Sequence, residues 1–384
     1  YFIALVVYSP LFFFFCLTPN VIMPPKLKPM APSSRPSGAP SELQEIVVGN
    51  VRVGPNGSTF ASDVEGVPPP SVNIDDLEKR RQLGEGKQGT VSQYVQKSDR
   101  TISYAVKKIS IPSTTDPKSM QSIASELRNI FTVSNEYTIK LYNAFYRNHS
   151  LYLVMEYMDW GSLEELCCAK ERPRLSEAIC AYVASQVLHC LALLHKKHVV
   201  AGNVDGRETR QIHRDIKPAN VLLSCDGRVK LADFGVAANA DTVGAVSFVG
   251  TATYMSPERI RGGKYGPSSD VWSVGVMITE LLTGEYPFQD SCGHFMTLLR
   301  AVTNFVGLDL SKYELSDDAV FFINACMRNN EDERLTAEEL LNVKWIVENE
   351  SRGRDELKAL LDTIGDAALH RANTSLTTNE SPHQ

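Results

Sequence analysis

The sequence has 384 residues, of which 43% are hydrophobic and 22% are charged, and its formal net charge is −6. This composition is typical of a globular chain long enough for two or three domain-sized units, and the acidic balance argues against a function in binding nucleic acid. The eight cysteines include no Cys-x-x-Cys pair with zinc-ligand spacing, so they indicate reduced thiols in a cytoplasmic protein.

The first 22 residues are strongly apolar, but they lack the basic start of a signal peptide, and Pro10 interrupts the run. We expect residues 1–22 to lie outside the working protein, which would begin at Met23, the first methionine. The alternative is a membrane anchor. Lys26 and Lys28 follow the apolar run and would then keep the rest of the chain in the cytoplasm. We otherwise expect no membrane partner.

Residues 23–73 are rich in Pro, Ser, Gly and Ala and contain few large apolar side chains. Such a segment buries too little surface to offset the entropy of ordering, so we expect a flexible arm. Strand-like patterns then cover residues 81–110, 139–146 and 150–157, with a hairpin turn at 97–100. Residues 119–131 have helical spacing. These elements predict a small β-rich lobe over residues 74–158.

Two long apolar patterns, residues 178–198 and 268–284, are typical of buried helices in a larger lobe. A further helix is predicted over 335–348, where Thr336 and Glu339 have the spacing of a capping box. The helical lobe therefore covers residues 159–346, and residues 347–384 begin as a helix and end in a polar tail. The fold class is α+β, with two lobes.

A glycine-rich segment, LGEGKQGTV, places Gly84, Gly86 and Gly89 in the pattern G-x-G-x-x-G. Dinucleotide-binding folds use the same glycines, but there the loop opens a helix. Here the residues after Gly89 continue as a strand. A glycine loop between two strands brings backbone amides close to phosphates, as nucleotide-dependent kinases require.

Lys107 follows Ala105 and Val106 on the next predicted strand, in the manner of the Val-Ala-Ile-Lys motif that reaches the α- and β-phosphates. Glu126, in the predicted helix 119–131, is positioned in the sequence to be its anionic partner. An exposed surface lysine is the alternative. The neighbouring Lys108 should point to the opposite face of the strand.

The segment IHRDIKPANVLL and the later Asp-Phe-Gly motif are the strongest signals in the chain. Asp215 can accept or orient the proton of an attacking hydroxyl, and Lys217 can neutralise a transferring phosphoryl group. Asn220 and Asp233 supply the oxygen ligands that Mg²⁺ prefers. In this order and spacing, the motifs predict the catalytic core of a protein kinase that uses ATP and Mg²⁺.

His213 lies beside the catalytic aspartate, but we interpret it as a structural residue rather than a base. In the kinase fold that these motifs indicate, we expect it to pack with Phe234, Phe145 and Ile130 in a buried column between the lobes.

The sequence resembles the eukaryotic protein kinases from about Asp75 to Trp345, and within them the MAP kinase kinases. DDLEKRRQLGEGKQGTV, MEYMDWGSLEEL and SFVGTATYMSPER carry the likeness. The resemblance implies an adenine pocket beneath the glycine loop, with Met155 as gatekeeper. The implied nucleotide-binding residues are Leu83, Gly84, Glu85, Gly86, Lys87, Gly89, Val91, Ala105, Lys107, Met155, Glu156, Met158 and Leu222.

The resemblance also implies specificity for the acceptor residue. Lys217 and Thr251 fit the serine/threonine pattern, and MAP kinase kinases with this pattern phosphorylate both threonine and tyrosine on a MAP kinase loop. Arg334 should pair with Glu258 and support the large lobe. The implied partners are a MAP kinase substrate, an upstream MAP kinase kinase kinase and a scaffold protein. Lys26 and Lys28 are a candidate docking segment in the arm.

The hydroxyl-rich run DTVGAVSFVGTATYMSPE lies where a kinase has its activation segment. Phosphate on Ser247 would add about two negative charges, and Arg214 is the expected partner of that phosphate. Thr242 is a second candidate. An insertion over residues 200–210 is expected to be a surface loop, or else a loop that docks a partner. The alternative functions are a serine/threonine kinase of a neighbouring group and a scaffold that is catalytically silent.

Overall fold

The computed structural model describes residues 45–48, 51–60, 72–86, 89–111, 135–169, 174–196, 198–200, 208–233, 252–263 and 266–377. The predicted helix 119–131, with Glu126, lies outside the described residues, as does most of the activation segment. Residues 43–364 form one compact unit. Residues 365–377, the last described turns of the C-terminal helix, belong to a second unit.

The largest sheet contains five antiparallel strands, which are β4 (Leu77–Gly86), β5 (Gly89–Gln96), β6 (Ser103–Ser110), β7 (Leu141–Arg147) and β8 (Ser150–Glu156). Their order in the sheet is β4-β5-β6-β8-β7. They coincide closely with the strand-like patterns of the sequence, because β-branched and aromatic residues alternate there with polar ones. Sheet and helices together confirm the predicted α+β class.

A second sheet of three strands precedes the first: β1 (Ile46–Val48), β2 (Val51–Gly54) and β3 (Gly57–Phe60), in the order β1-β2-β3. The sequence predicted a flexible arm here, so the prediction differs from the structure over residues 46–60. Val53 is buried, and so is Ser58, whose amide and hydroxyl both donate to Asn143 Oδ1, at 3.0 and 2.8 Å. Contacts with Asn143 of β7, a strand distant in sequence, therefore hold this segment in place.

The helical lobe is built around two buried helices, α2 (Glu177–Lys196) and α4 (Pro267–Thr283). Helix α2 is long and apolar enough to cross a membrane, but most of it is buried inside the protein. Trp272 of α4 and Trp345 are the largest fully buried side chains. The remaining α-helices in the described part of the chain are α1 (Leu163–Ala169), α3 (Pro257–Ile260), α5 (Phe295–Thr303), α6 (Asp317–Cys326), α7 (Ala337–Leu340) and α8 (Lys344–Thr377).

The single helix predicted over 335–348 is two helices, because α7 ends at Leu340 and α8 begins at Lys344. The capping box is present: Thr336 Oγ1 accepts from the Glu339 amide at 3.2 Å, and the Glu339 carboxylate accepts from the Thr336 amide at 2.8 Å. Helix α8 extends to Thr377, further than the sequence indicated.

The described part of the larger lobe also contains five short strands. Strand β9 (Gly161–Ser162) joins β12 (Val221–Leu223) and β13 (Val229–Leu231) in one antiparallel sheet. The ends of the insertion pair as β10 (His198–Val200) and β11 (Glu208–Arg210). The insertion expected as a loop is thus a two-stranded hairpin at its base, and residues 201–207 lie outside the described residues.

Candidate active site

The glycine loop joins β4 and β5, and its strands pair as far as Gly86 and Gly89. Gly89 has φ +123°, and a Cβ at this position would lie 2.0 Å from the backbone oxygen of Lys108. Only glycine fits such a close approach of two backbones. Gly84 and Gly86 have no atom within 4 Å of a built Cβ, so among the described residues their surroundings are open. Lys87 lies outside the described residues.

Three sheet residues of the expected adenine pocket share one face with Lys107. Val91 pairs with Lys107, and Ala105 pairs with Met155. Because paired residues on antiparallel strands lie on the same side and side chains alternate along a strand, Val91, Ala105, Lys107 and Met155 share a face. We call it the site face. Lys108 lies on the opposite face, as expected, and is exposed.

Of the remaining expected nucleotide-binding residues, Leu83 and Glu85 lie in β4, and Glu156 is the last residue of β8. Met158 follows in the hinge segment and is buried. Leu222 belongs to β12 in the helical lobe, where it pairs with Ser162 and with Lys230. These positions come from both lobes.

Lys107 is almost completely buried, with 4% of its surface exposed. Its ammonium group forms an ion pair with the carboxylate of Asp233, which is partly exposed. Asp233 has φ 58°, in the left-handed region that non-glycine residues rarely adopt. The structure thus brings together Lys107 and Asp233, which are 126 positions apart in sequence.

The catalytic-loop residues form one hydrogen-bonded group. Lys217 Nζ lies 2.7 Å from Asp215 Oδ2, and the amide nitrogen of Asn220 donates to the same oxygen at 2.8 Å. Asn220 also donates to the backbone oxygen of Asp215 at 2.7 Å. Asp215 keeps 24% of its side chain exposed. Its carboxylate is therefore held in place but remains accessible to a substrate hydroxyl.

Asp270 holds the catalytic loop through hydrogen bonds to its backbone. It was not singled out in the sequence analysis. It is 1% exposed, and its carboxylate accepts the amides of His213 and Arg214, both at 2.8 Å. It also lies 3.0 Å from His195 Nε2. Arg214 has φ 75°, which these two hydrogen bonds help to hold. An aspartate inside a long apolar helical pattern was the available signal, since such a group must be paired when buried.

His213 is 2% exposed, and burial lowers its pKa. Its Nε2 lies 3.1 Å from the Ala232 carbonyl oxygen, in the segment that leads to Asp233. The ring thus links the catalytic loop to the Asp233 segment. Burial favours the neutral ring, which fits a structural residue.

The prediction that Phe145 packs against His213 is wrong. Phe145 belongs to a cluster with Leu77, Val106 and Val154, on the opposite side of the sheet from the site face. The cause is a register irregularity in β7 between Leu141 and Asn143, which shifts the alternation of its side chains. The other two expected members of the column, Phe234 and Ile130, lie outside the described residues.

Asn220 and Asp233 could hold a divalent cation, because amide and carboxylate oxygens are suitable ligands and nucleotide phosphates would supply further ones. The two hydrogen bonds of Asn220 described above use its amide nitrogen and not its oxygen. Among the described residues, no group of three or more acidic, histidine or cysteine side chains could hold a metal by itself. The donor set therefore fits a cation that binds together with a nucleotide.

The expected pair in the large lobe is present. The guanidinium of Arg334 contacts both carboxylate oxygens of Glu258 at 2.8 Å. Burial would raise the pKa of Glu258, but hydrogen bonds from Arg334, Ser269 and Ser256 outweigh it and lower the pKa to about 2. The regulatory candidates Ser247 and Thr242, and Thr251, lie outside the described residues.

A family model described as the protein kinase domain matches residues 77–346. The chain is 34% identical over 289 residues to mitogen-activated protein kinase kinase 1c of Physcomitrium patens, covering 71% of this chain and 77% of that protein. It is 31% identical over 312 residues to mitogen-activated protein kinase kinase 1 of Arabidopsis thaliana, covering 78% and 84%. It is 35% identical over 279 residues to the MAP kinase kinase MKK1/SSP32 of Saccharomyces cerevisiae, covering 69% and 52%.

Proposed function

Because the chain belongs to the protein kinase family and is a protein kinase of the MAP kinase kinase type, we propose that it phosphorylates a threonine and a tyrosine in the activation loop of a MAP kinase. The observation that carries the proposal is the group formed by Asp215, Lys217 and Asn220, next to the pair Lys107–Asp233. Such a group can position an acceptor hydroxyl opposite a bound nucleotide.

The roles follow from the chemistry of each group. Asp215 orients the acceptor hydroxyl and takes its proton, and Lys217 neutralises charge on the transferring phosphoryl group. Asn220 and Asp233 would hold Mg²⁺, which would offset the negative charge of the nucleotide phosphates. Lys107 binds the α- and β-phosphates, which requires its present pair with Asp233 to rearrange when nucleotide and cation enter.

Regulation is the second part of the proposal. An upstream MAP kinase kinase kinase phosphorylates Ser247, with Thr242 as a second site, and Arg214 pairs with the phosphate. Arg214 is exposed, and it adjoins the catalytic Asp215 in sequence. A phosphate paired with this arginine would order the segment beside the substrate. We also propose that the protein works in the cytoplasm, in contact with a scaffold protein.

The test uses the full chain with Thr242→Glu and Ser247→Glu, incubated with ATP, Mg²⁺ and a panel of MAP kinases made inactive by substitution. We expect mass spectrometry to find both the threonine and the tyrosine of one Thr-x-Tyr loop phosphorylated. The control is the same protein with Asp215→Asn, which should give neither phosphate. If only generic serine and threonine substrates were phosphorylated, the protein would be a serine/threonine kinase of a neighbouring group.

If no transfer occurs, the unsubstituted chain activated by an upstream kinase is the second arm, because glutamate can fail to replace phosphate. Binding of ATP and Mg²⁺ would then be measured directly. Absence of transfer by the activated protein would leave a scaffold with a kinase fold and would overturn the proposal.

A further inference from the structure

Glu156 is the last residue of β8, and its carboxylate contacts two cations from the β12–β13 hairpin of the other lobe. Lys230 Nζ lies 2.8 Å from Oε2, and the Arg228 guanidinium lies 3.1 Å from Oε1. The backbone amide of Lys140 also donates to Oε2, at 3.3 Å. One carboxylate thus joins the hinge end of the five-stranded sheet to the hairpin.

The Lys230–Glu156 pair is shielded from water. The two side chains are 12% and 14% exposed, whereas that of Arg228 is 44% exposed. Arg228 also contacts Asp226, with Nε 2.7 Å from Oδ2, so its charge is shared between two acids. Screening by water weakens an exposed pair far more than a shielded one. Lys230 is therefore the stronger of the two links to the hinge.

Lys230 lies next to the expected floor of the nucleotide pocket. It pairs across the hairpin with Leu222, so the two side chains are on the same face of their sheet. Val229 and Leu231, on the opposite face, are buried in the large-lobe core. A lysine at this position can lie beside the pocket and reach the hinge without entering the core.

Strand β13 leads directly to Asp233, two residues after Leu231. Its backbone is already fixed to the segment before β7: the Leu231 amide donates to the Tyr137 carbonyl at 2.9 Å, and the Ile139 amide donates to the Leu231 carbonyl at 3.0 Å. The Lys230–Glu156 pair adds a side-chain link from this strand to the hinge. The position of the adenine site is thereby tied to that of the metal-ligand segment.

We propose that Glu156 and Lys230 are positioning residues for nucleotide binding, which hold the hinge at a fixed distance from the strand that carries Asp233. A nucleotide must contact the hinge with its base and the Asp233 region with its phosphates and cation. A fixed spacing lowers the entropy lost when both ends bind. The inference concerns the kinase domain alone and does not depend on which protein accepts the phosphate.

The experiment measures binding of ADP and Mg²⁺ by calorimetry, and KM for ATP and kcat by turnover, with Lys230→Met in the full chain. We expect the dissociation constant and KM to rise about tenfold, because the hinge and the Asp233 segment must then be ordered when the nucleotide binds. We expect kcat to change less than about twofold, because Asp215 and Lys217 remain in place. Lys230→Arg should recover most of the affinity.

Two matched variants separate positioning from folding. Arg228→Met removes the more exposed partner of the same carboxylate and should change the dissociation constant less than about twofold. Lys312→Met removes an exposed lysine paired with Glu285, 3.1 Å away in the large lobe, and should change nothing in nucleotide binding. If Lys230→Met does not fold, the exchanged pair Glu156→Lys with Lys230→Glu replaces it, and we expect its affinity to be closer to wild type than that of either single exchange.

An unchanged dissociation constant in folded Lys230→Met would overturn the inference, whatever happens to its melting temperature. A change in kcat at constant nucleotide affinity, in either direction, would also overturn it, since the pair would then act on the chemical step or on activation. Because ADP binding needs no acceptor protein, the dissociation constants for ADP could still be interpreted if no MAP kinase substrate were found.

Discussion

Two groups of paired charges in this kinase differ in how completely their hydrogen bonds are satisfied. The guanidinium of Arg334, with a side chain that is 0% exposed, donates to both oxygens of Glu258 and to the backbone oxygens of Arg328, Ser268 and Asn329. All of its donor nitrogens are used. In the cleft, Asp215 and Asp233 are 24% and 36% exposed and each has one lysine beside it.

This difference determines which charged groups can act on a substrate. A buried ion whose hydrogen bonds are all satisfied inside the protein can fix a structure, but it has no free group to offer a ligand. The cleft carboxylates are held by one or two contacts and keep a solvent-facing surface. Substitutions in the cleft should therefore change catalysis without unfolding the protein, and substitutions at Glu258 should do the reverse.

The largest effect is expected for Asp215→Asn. Without a carboxylate to orient the acceptor hydroxyl and take its proton, kcat should fall by about a thousandfold. The melting temperature should change little, because Asn can keep hydrogen bonds to the groups around it. The measurement is kcat with an activated protein, alongside a thermal melt.

Asp290→Asn is the control for Asp215→Asn, because it removes an exposed carboxylate from the large lobe. Its activity should match that of the wild type. Retained turnover in Asp215→Asn, or a large loss of stability, would contradict the assignment of the cleft to chemistry.

The catalytic cleft was predictable because its residues stand in short contiguous motifs whose spacing is set by chemistry. Lys107, Asp215, Asn220 and Asp233 were all singled out in this way. Asp270 was not, since its role depends on two backbone amides from a loop 56 and 57 positions earlier in the chain. A local sequence pattern does not indicate which distant backbone groups a side chain will contact.

The errors in the fold have the same origin. Residues 46–60 lie within a stretch that is rich in Pro, Ser and Gly overall, but they contact Asn143 and Arg147 of β7, which lie far away in sequence. Phe145 was expected beside His213, but one register irregularity in β7 reverses the alternation and places Phe145 on the opposite face of the sheet. Periodicity predicts elements well, but it does not predict which surfaces meet or where a strand is irregular.

The second effect in size is expected for Glu258→Gln. Removing the acid leaves Arg334 buried without its partner, which should lower the free energy of unfolding by about 3 kcal/mol near pH 7. The pKa of Glu258 is about 2 in the folded protein, below its ordinary value of 4.5. The stabilisation is therefore complete above pH 4.5 and is lost as the pH falls towards 2.

Denaturant unfolding of wild type and Glu258→Gln, measured from pH 7 down to pH 3, tests this sign. The difference in free energy between the two proteins should be constant above about pH 5 and should shrink below pH 4.5. Activity per folded molecule should be unchanged at pH 7. If the difference in the free energy of unfolding grew on acidification, it would contradict the pairing of Glu258 with Arg334. A loss of activity in folded Glu258→Gln would contradict the purely structural role of this pair.

The smallest effect is expected for Ser58→Ala, which probes the sheet that precedes the kinase domain. The Ser58 hydroxyl donates to Asn143 Oδ1 at 2.8 Å, but that oxygen also accepts the amides of Ser58 and Ala144, at 3.0 and 2.8 Å. The loss of one of three donors should lower the free energy of unfolding by about 1 kcal/mol. Thr59→Ala, on the same strand but exposed, is the matched control and should have almost no effect.

The change in the free energy of unfolding caused by Ser58→Ala shows whether β1–β3 unfold together with the five-stranded sheet or only lie against it. If the strands unfold together with the five-stranded sheet, Ser58→Ala lowers the midpoint of the main transition, and kcat stays at the wild-type value because the site face is on the other side of that sheet. If they separate first, the main transition is unchanged, and only amide exchange in residues 51–60 becomes faster. The second result would make these strands an intermediate case between the fully satisfied Arg334–Glu258 pair and the partly exposed cleft carboxylates. A few polar contacts would order them, but they would not contribute to the stability of the catalytic unit.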